Sequence, residues 1–199
     1  MLIGFDLDNT LLNYSDSVRI AAAEKLQIKE SDGLTKESLK LQIQENFGRE
    51  EWTRLQGLLY TSYIQYATID PYAIGLLNYL NQRGEHRIQI VSHKTRFPIL
   101  GPQVDMREIA SQHFEKLTKG LLGSASEISI HFTETLVEKI EYINETQFDI
   151  FVDDLLEVIS RLNIKNRILF SNSVKAQESV IVSNSWKEIA IVMKERLGC

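Results

Sequence analysis

Short apolar runs alternate with helical patterns along most of this chain of 199 residues. The first two runs, Leu2–Phe5 and Arg87–Val91, have the length of single buried strands. Further runs occur at 127–132, 148–152, 167–170 and, as a candidate sixth strand, 180–182. Strands separated by helices favour a parallel sheet, because parallel strands need long crossover connections. We therefore predict an α/β fold with a mostly parallel sheet and helices on both faces.

Helix signals fill the connections between these strands. Pro71 is suited to the first position of a helix, and Gly84 is suited to its end. Thr133 is the predicted N-cap of a helix that carries Leu136, Ile140 and Ile143. The other helices of this region are predicted around 109–117, 154–163 and 185–197.

Residues 14–70 interrupt the alternation and contain no convincing strand. They show three helical stretches at 16–28, 35–47 and 49–66, separated by Ser31–Gly33 and Gly48. A helical insertion between the first two core strands is the simplest interpretation. We predict an α/β core domain formed by 1–13 and 71–199, and a helical cap domain formed by 14–70.

Two carboxylates directly follow the first predicted strand. Asp6 and Asp8 stand two residues apart, at the strand end where open α/β sheets bind ligands. Mg²⁺ prefers one or two carboxylates together with phosphate oxygens, so this position suits a magnesium site. Asp6 is the candidate nucleophile toward phosphorus, and Asp8 is the candidate acid and base. The alternative is a surface turn that Asp and Asn side chains cap.

Three polar residues, Ser92, His93 and Lys94, follow the second predicted strand. A hydroxyl and the backbone amides at a strand end can bind a phosphate oxygen. Taken alone, these residues are better explained as a turn serine, a structural or solvated histidine and a surface lysine.

A lysine and an acidic pair come later in the chain. Lys139 lies beside the apolar stripe of its predicted helix and could neutralise phosphate charge, although an exposed helix lysine is the simpler interpretation. Asp153 and Asp154 follow the fourth predicted strand. Adjacent carboxylates are costly unless a cation lies between them, which favours a metal ion. Capping of the following helix is the alternative, and both interpretations can hold.

Together, these residues resemble the motifs of the haloacid dehalogenase-like hydrolase superfamily. The segment Asp6-Leu7-Asp8-Asn9-Thr10-Leu11 is similar to its first motif, DxDxT. The resemblance implies that Asp6 is the nucleophile, that Asp8 is the acid and base, and that Thr10 steadies the loop. Dehalogenase activity is disfavoured, because that chemistry needs no metal and its first motif resembles DxY rather than DxD.

The later motifs follow in the same order. Ser92 matches the phosphate-binding residue of the second motif, Lys139 matches the lysine of the third, and Asp153 with Asp154 matches the acidic pair of the fourth. The implied Mg²⁺ ligands are Asp6, the backbone carbonyl of Asp8, Asp153 and Asp154. The candidate substrate-binding residues are Thr10, Ser92, His93, Lys94 and Lys139. The resemblance covers the whole chain and implies a Rossmann-like core with an inserted helical cap at 14–70.

The predicted function is a Mg²⁺-dependent phosphohydrolase that acts on a small phosphorylated metabolite through an aspartyl-phosphate. Two alternatives stay open: a phosphotransferase or phosphomutase with the same nucleophile, and a non-catalytic binding module. Four aromatic residues of the insertion could select the substrate, although packing inside the cap explains them better. They are Trp52, Tyr60, Tyr63 and Tyr66.

Composition narrows the partners and the compartment. The net charge of −5 and the scattered basic residues disfavour a large nucleic-acid footprint. No apolar run approaches the roughly 20 residues that span a bilayer, and the N-terminus lacks a signal-peptide pattern. Cys199 is the single cysteine, so no internal disulfide can form. We expect a cytoplasmic protein with a small phosphorylated substrate and no membrane partner.

Overall fold

Among the residues that the structure describes, six parallel strands form one continuous sheet. The structure is a computed structural model that describes residues 1–28, 34–122, 128–172 and 180–197. The strands are β1 (Leu2–Phe5), β2 (Arg87–His93), β3 (Ser129–Thr133), β4 (Ile150–Asp153), β5 (Asn166–Phe170) and β6 (Val180–Ser183). They lie in the order β3-β2-β1-β4-β5-β6, and every neighbouring pair is parallel. The predicted Rossmann-like parallel sheet is confirmed.

Eight α-helices occur among the described residues. They are α1 (Ser15–Leu26), α2 (Lys36–Phe47), α3 (Arg49–Leu59), α4 (Pro71–Gln82), α5 (Met106–Thr118), α6 (Leu136–Thr146), α7 (Leu156–Arg161) and α8 (Trp186–Arg196), with a 3₁₀ turn at Ile64–Tyr66. None of these helices combines the length and the apolar character that crossing a bilayer requires.

Helices cover both faces of the sheet. Side chains alternate between the faces along each strand, and Phe5 packs against Trp186 at the start of α8, with ring centroids 6.1 Å apart. Gly4 points to the other face, where an added Cβ would overlap the ring of Phe151. Phe151 belongs to a buried cluster that includes residues of α6 and α7, among them Ile140, Ile143, Val158 and Ile159. The prediction of two helical layers is therefore confirmed.

Element boundaries differ from the predicted ones at several places. β2 continues through Ser92 to His93, so these two residues end a strand rather than follow it. β4 begins at Ile150, two residues later than predicted. Phe148 lies before the strand, and its buried ring packs edge-on against Phe151. The predicted helix at 49–66 ends at Leu59. Glu127 and Ser31–Gly33 lie outside the described residues.

Two helix starts also differ from the sequence prediction. Thr135, not Thr133, is the N-cap of α6, and its side chain accepts a hydrogen bond from the backbone N–H of Glu138. Helix α7 begins at Leu156 after an N-cap residue, Leu155, that provides no side-chain hydrogen bond. Asp153 accepts the backbone N–H of Leu155 at 2.8 Å, so it orders the turn before α7 without being the N-cap.

The chain divides into two compact units. The first, called the α/β unit below, contains Met1–Leu11, Ile69–His93 and Thr118–Cys199. The second, called the helical unit, contains Leu12–Thr68 and Lys94–Leu117. The grouping differs from the predicted domain division in one large segment, because residues 94–117 group with the helical insertion rather than with the α/β core.

Close packing explains why that segment joins the helical unit. A Cβ added at Gly57 in α3 would overlap the carbonyl oxygen of Leu100, so the absence of a side chain lets these two backbones approach. The buried imidazole of His113 in α5 forms a hydrogen bond of 2.9 Å with the carbonyl oxygen of Ala67. Backbone approaches of this kind leave no signal in the hydrophobic pattern of the segment.

The helical unit has its own apolar core. Buried residues of α1, α2 and α3, with Trp52 among them, form it together with Tyr63. Tyr60 packs edge-on against Tyr14, with ring centroids 5.2 Å apart, while Tyr66 is more exposed. Trp52, Tyr60 and Tyr63 therefore pack inside this unit, as the simpler interpretation of the aromatic residues expected.

Candidate active site

Two carboxylates meet at the carboxyl edge of the sheet. Asp6 directly follows β1, and Asp153 is the last residue of the neighbouring strand β4. The backbone N–H of Asp6 donates to the carbonyl oxygen of Val152 at 2.8 Å, which continues the pairing of the two strands beyond Phe5. The sheet itself therefore places residues that are far apart in the sequence side by side.

Lys139 lies between these two carboxylates. Its Nζ is 2.6 Å from Oδ1 of Asp6 and 2.6 Å from Oδ2 of Asp153. The residue lies in the first turn of α6, whose buried Ile140 and Ile143 fix the helix against the sheet. Lys139 is only 1% exposed, so the interpretation as an exposed helix lysine is wrong.

Asp154 completes an acidic cluster. Carboxylate oxygens of Asp6, Asp153 and Asp154 all lie within 4.8 Å of one another. The hydroxyl of Thr10 donates to Oδ1 of Asp154 at 3.4 Å. Mg²⁺ binds oxygens at about 2.0–2.1 Å, so oxygens on one ion lie up to about 4.2 Å apart, and small side-chain adjustments would suffice. With one charge on Lys139 and three on the carboxylates, the cluster has a formal charge of −2, which a divalent cation matches.

Burial and charge act together on the ionisation of this cluster. Burial raises the pKa of the Asp6 carboxyl well above its ordinary value; Lys139 lowers it, while Asp153, Asp154 and Asp8 raise it further. Burial lowers the pKa of the Lys139 ammonium, but Asp153 and Asp6 outweigh that effect and leave the pKa above its ordinary value. The ammonium therefore stays charged, and further positive charge would favour the ionised form of Asp6.

The loop after β1 carries the other residues of the first motif. Asn9 has a left-handed backbone conformation with φ of 64°, which Asn tolerates better than most residues. Asp8 is half-buried, and its carboxylate is not part of the acidic cluster found among the described residues. Thr10 is 2% exposed, and its carbonyl oxygen accepts the indole N–H of Trp186 at 3.3 Å.

Ser92 lies on β2, the strand that neighbours β1 on the side away from β4. It follows Ile90, the partner of Phe5, by two residues, so it reaches the same edge of the sheet as Asp6. Its Oγ is buried and has no hydrogen-bond partner among the described residues. A buried hydroxyl without a partner is uncommon in folded proteins and suits the binding of a ligand oxygen.

His93 and Lys94 differ in their surroundings. His93 is exposed at the end of β2, and its pKa lies below the ordinary value because of partial burial and the nearby charge of Lys139. Lys94 belongs to the helical unit, where it is buried and its Nζ lies 3.9 Å from the ring centroid of Tyr60. The interpretation of Lys94 as a plain surface lysine is therefore wrong.

Trp186 contacts the loop after β1, although the sequence analysis did not single it out. Trp186 lies 176 residues from Thr10, to which it donates its indole N–H. The sequence analysis assigned this residue no role, because its partner lies far along the chain and leaves no local signal. A cavity of about 500 Å³ lies at the amino-terminal edge of the sheet, which is the edge opposite to the acidic cluster. Leu2, Ile88 and Ser129 are among the residues that line it.

Comparison with known proteins gives matches among solved structures. No protein-family model and no curated protein matches the chain. A protein from Clostridium acetobutylicum, described as a predicted phosphatase, has a TM-score of 0.61 and 18% identity, with 98% of each chain covered. A candidate haloacid dehalogenase (HAD) hydrolase from Bacillus subtilis bound to magnesium has a TM-score of 0.57 and 13% identity, with 96% of this chain and 97% of that chain covered. A candidate β-phosphoglucomutase from Thermotoga maritima has a TM-score of 0.57 and 11% identity, with 98% of each chain covered.

Proposed function

We propose that this chain, which has the HAD-like hydrolase fold, is a Mg²⁺-dependent phosphohydrolase that uses Asp6 as its nucleophile. One observation carries the proposal: the carboxylates of Asp6 and Asp153 meet on the single ammonium of Lys139. Buried carboxylates are costly to a fold, so their concentration at a ligand-binding edge favours a functional role. Asp154 extends this cluster into a site whose charge suits a divalent cation.

The residues of the site have complementary roles in phosphoryl transfer. Oδ of Asp6 attacks phosphorus, the Asp6–phosphorus bond forms, and the bond from phosphorus to the leaving oxygen breaks. Asp8 gives its proton to that leaving oxygen. Asp8 then takes a proton from water, which attacks phosphorus and releases inorganic phosphate and free Asp6.

Three further groups stabilise the transferred group. Lys139 holds Asp6 in place and provides positive charge beside it, and the hydroxyl of Ser92 donates to a phosphoryl oxygen. Mg²⁺ on the carboxylates of Asp6, Asp153 and Asp154 would reduce the repulsion between an anionic nucleophile and an anionic phosphate.

A phosphotransferase is the second candidate. It would use the same attack by Asp6 and pass the phosphoryl group to a sugar hydroxyl instead of water. The similarity to a candidate β-phosphoglucomutase supports this alternative. Incubation with a sugar phosphate and analysis of the products distinguishes the two, because only the phosphotransferase gives an isomeric or newly phosphorylated sugar.

Release of phosphate from a generic aryl phosphate tests the main proposal. We expect turnover with Mg²⁺ that stops when a chelator is added, and no turnover in Asp6→Asn. Asp16→Asn is the matched control, because Asp16 is an exposed carboxylate that pairs with Arg19 at the surface of α1. Turnover that persists in Asp6→Asn, or in excess chelator, would contradict the proposal.

A panel of phosphorylated sugars, nucleotides and organic acids would identify the substrate, with Asp6→Asn as the blank. If every compound is left unchanged while Mg²⁺ still binds, a non-catalytic binding module is the better description. The small phosphorylated partner and the cytoplasmic location stay predictions.

A further inference from the structure

We propose that Trp186 is a positioning residue that holds the loop between Asp6 and Leu11 in its active conformation. The part of this inference that concerns Mg²⁺ rests on the proposed function. The geometric part does not, because it concerns only contacts between α8 and the loop after β1.

A hydrogen bond joins the two segments. The indole N–H of Trp186 donates to the carbonyl oxygen of Thr10 at 3.3 Å. Trp186 is 3% exposed and Thr10 is 2% exposed, so water has little access to replace the donor. Loss of the N–H would leave a buried carbonyl oxygen without this partner, which is costly inside a protein.

The indole ring also contacts the strand that leads to Asp6. Its centroid lies 6.1 Å from that of Phe5, the residue before Asp6, and 5.3 Å from that of Phe170 at the end of β5. Trp186 therefore contacts the segment that carries Asp6 at two points, one before Asp6 and one four residues after it.

The start of α8 is itself well fixed. Ser185 is the N-cap, and its side chain accepts the backbone N–H of Glu188. The hydroxyl of Ser183 donates to the carboxylate of Glu188 at 2.7 Å and accepts the backbone N–H of Ser185 at 3.1 Å. This network at the end of β6 anchors Trp186, so the indole can act as a fixed support.

Thr10 connects this support to the acidic cluster. Its carbonyl oxygen is held by Trp186, and its hydroxyl donates to Asp154 at 3.4 Å. The loop between these contacts includes Asn9, whose backbone has a left-handed conformation with φ of 64°. Trp186 thereby acts on the position of Asp154 through Thr10.

Replacing one atom of the indole tests this role. The protein is produced with Trp52→Phe, so that position 186 is the only tryptophan, and the indole is replaced by benzothiophene, which has sulfur in place of N–H. The shape of the ring is nearly unchanged while the donor is lost. Trp52→Phe alone is the matched parent, because Trp52 packs in the core of the helical unit.

Hydrogen exchange of the metal-free protein is the first measurement. We expect the amides of residues 7–11 to exchange at least about fivefold faster in the benzothiophene protein, as for the loss of one hydrogen bond of about 1 kcal/mol. Amides of α2 in the helical unit should be unchanged. Equal exchange at residues 7–11 in the two proteins would overturn the proposal, and a uniform increase over the whole chain would do the same.

Titration with Mg²⁺ alone is the second measurement. Weaker binding by the benzothiophene protein than by the parent supports a positioning role toward the acidic cluster, and equal binding contradicts that role. If the parent itself binds no Mg²⁺, the proposed function fails, whereas the exchange experiment still decides the role of Trp186. Trp186→Phe gives a simpler variant that should change both measurements in the same direction.

Discussion

The two units of the chain bury polar side chains in different ways. In the α/β unit, the ammonium of Lys139 lies between the carboxylates of Asp6 and Asp153. In the helical unit, the hydroxyl of Tyr63 donates to the carboxylate of Glu24 at 2.6 Å, and the imidazole of His113 contacts a backbone carbonyl oxygen. The first arrangement concentrates charge, whereas the second satisfies single buried groups.

This difference indicates which residues should matter for ligand binding and which should matter for the stability of the fold. Several buried carboxylates within one site repel each other, and a fold gains little from them unless a ligand uses them. A buried hydroxyl or imidazole with one partner mainly avoids the cost of an unsatisfied group. We therefore expect changes at the carboxyl edge to alter metal binding and turnover, and changes in the helical unit to alter the free energy of unfolding.

Asp153→Asn should give the largest difference between the effect on Mg²⁺ affinity and the effect on the free energy of unfolding. The amide keeps the shape of the side chain but removes one negative charge from the acidic cluster. We expect Mg²⁺ affinity to fall by more than about 100-fold, since even residues behind the metal ligands cost about 10–100-fold when changed. The free energy of unfolding without Mg²⁺ should change by less than the roughly 2.7 kcal/mol that a 100-fold loss of affinity represents, because Lys139 keeps Asp6 as its partner and one of the repelling carboxylates is gone. Calorimetric titration and urea unfolding measure the two, and unchanged Mg²⁺ affinity would contradict the metal site.

Lys139→Met should be the exception to this expectation, because here a change at the carboxyl edge should lower the free energy of unfolding. It removes the ammonium that compensates Asp6 and Asp153, so the two buried carboxylates are left to repel each other. We expect the free energy of unfolding to fall by about 3–5 kcal/mol, and added Mg²⁺ to restore part of it.

Lys40→Met is the control for this variant, because Lys40 is an exposed lysine of α2. Urea unfolding at several Mg²⁺ concentrations provides the measurement. A loss below about 1 kcal/mol in Lys139→Met would mean that the charge cluster contributes little to stability.

Gly57→Ala should destabilise the helical unit without a direct effect on the acidic cluster. The new Cβ would overlap the carbonyl oxygen of Leu100, and a backbone shift costs about 1–3 kcal/mol. Gly75→Ala in α4 is the control, since the space around Gly75 is open and alanine should stabilise that helix by up to about 1 kcal/mol. We expect the midpoint temperature of thermal unfolding to fall in Gly57→Ala and to rise in Gly75→Ala. Changes of the same sign would contradict the close approach at Gly57.

Tyr63→Phe should have the smallest effect, a loss of about 1 kcal/mol at neutral pH from the hydrogen bond to Glu24. Burial and this hydrogen bond raise the pKa of Tyr63 to about 12. The unfolded chain releases the phenolic proton near pH 10 and the folded chain near pH 12, so the stabilisation is lost as the pH rises between them. The stability difference between wild type and Tyr63→Phe should therefore shrink above pH 10. Tyr66→Phe is the control, and a constant difference up to pH 12 would contradict the assignment.

The sequence was sufficient to predict the sheet and the edge where Asp6 and Asp153 meet. Apolar runs of strand length ended at these residues, and the carboxyl ends of parallel strands must share one edge. The grouping of residues 94–117 with the helical unit depends on the backbone approach at Gly57, which no periodicity records. The burial of Lys139 and the hydrogen bond of Trp186 depend in the same way on partners far along the chain.

The 176-residue separation of Thr10 and Trp186 has a consequence for biosynthesis. A ribosome adds Trp186 176 residues after Thr10, so the loop is made well before the indole that supports it. In a nascent chain that has not yet reached Trp186, this loop lacks its support, so under our proposal it would take its active conformation only after Trp186 has been added.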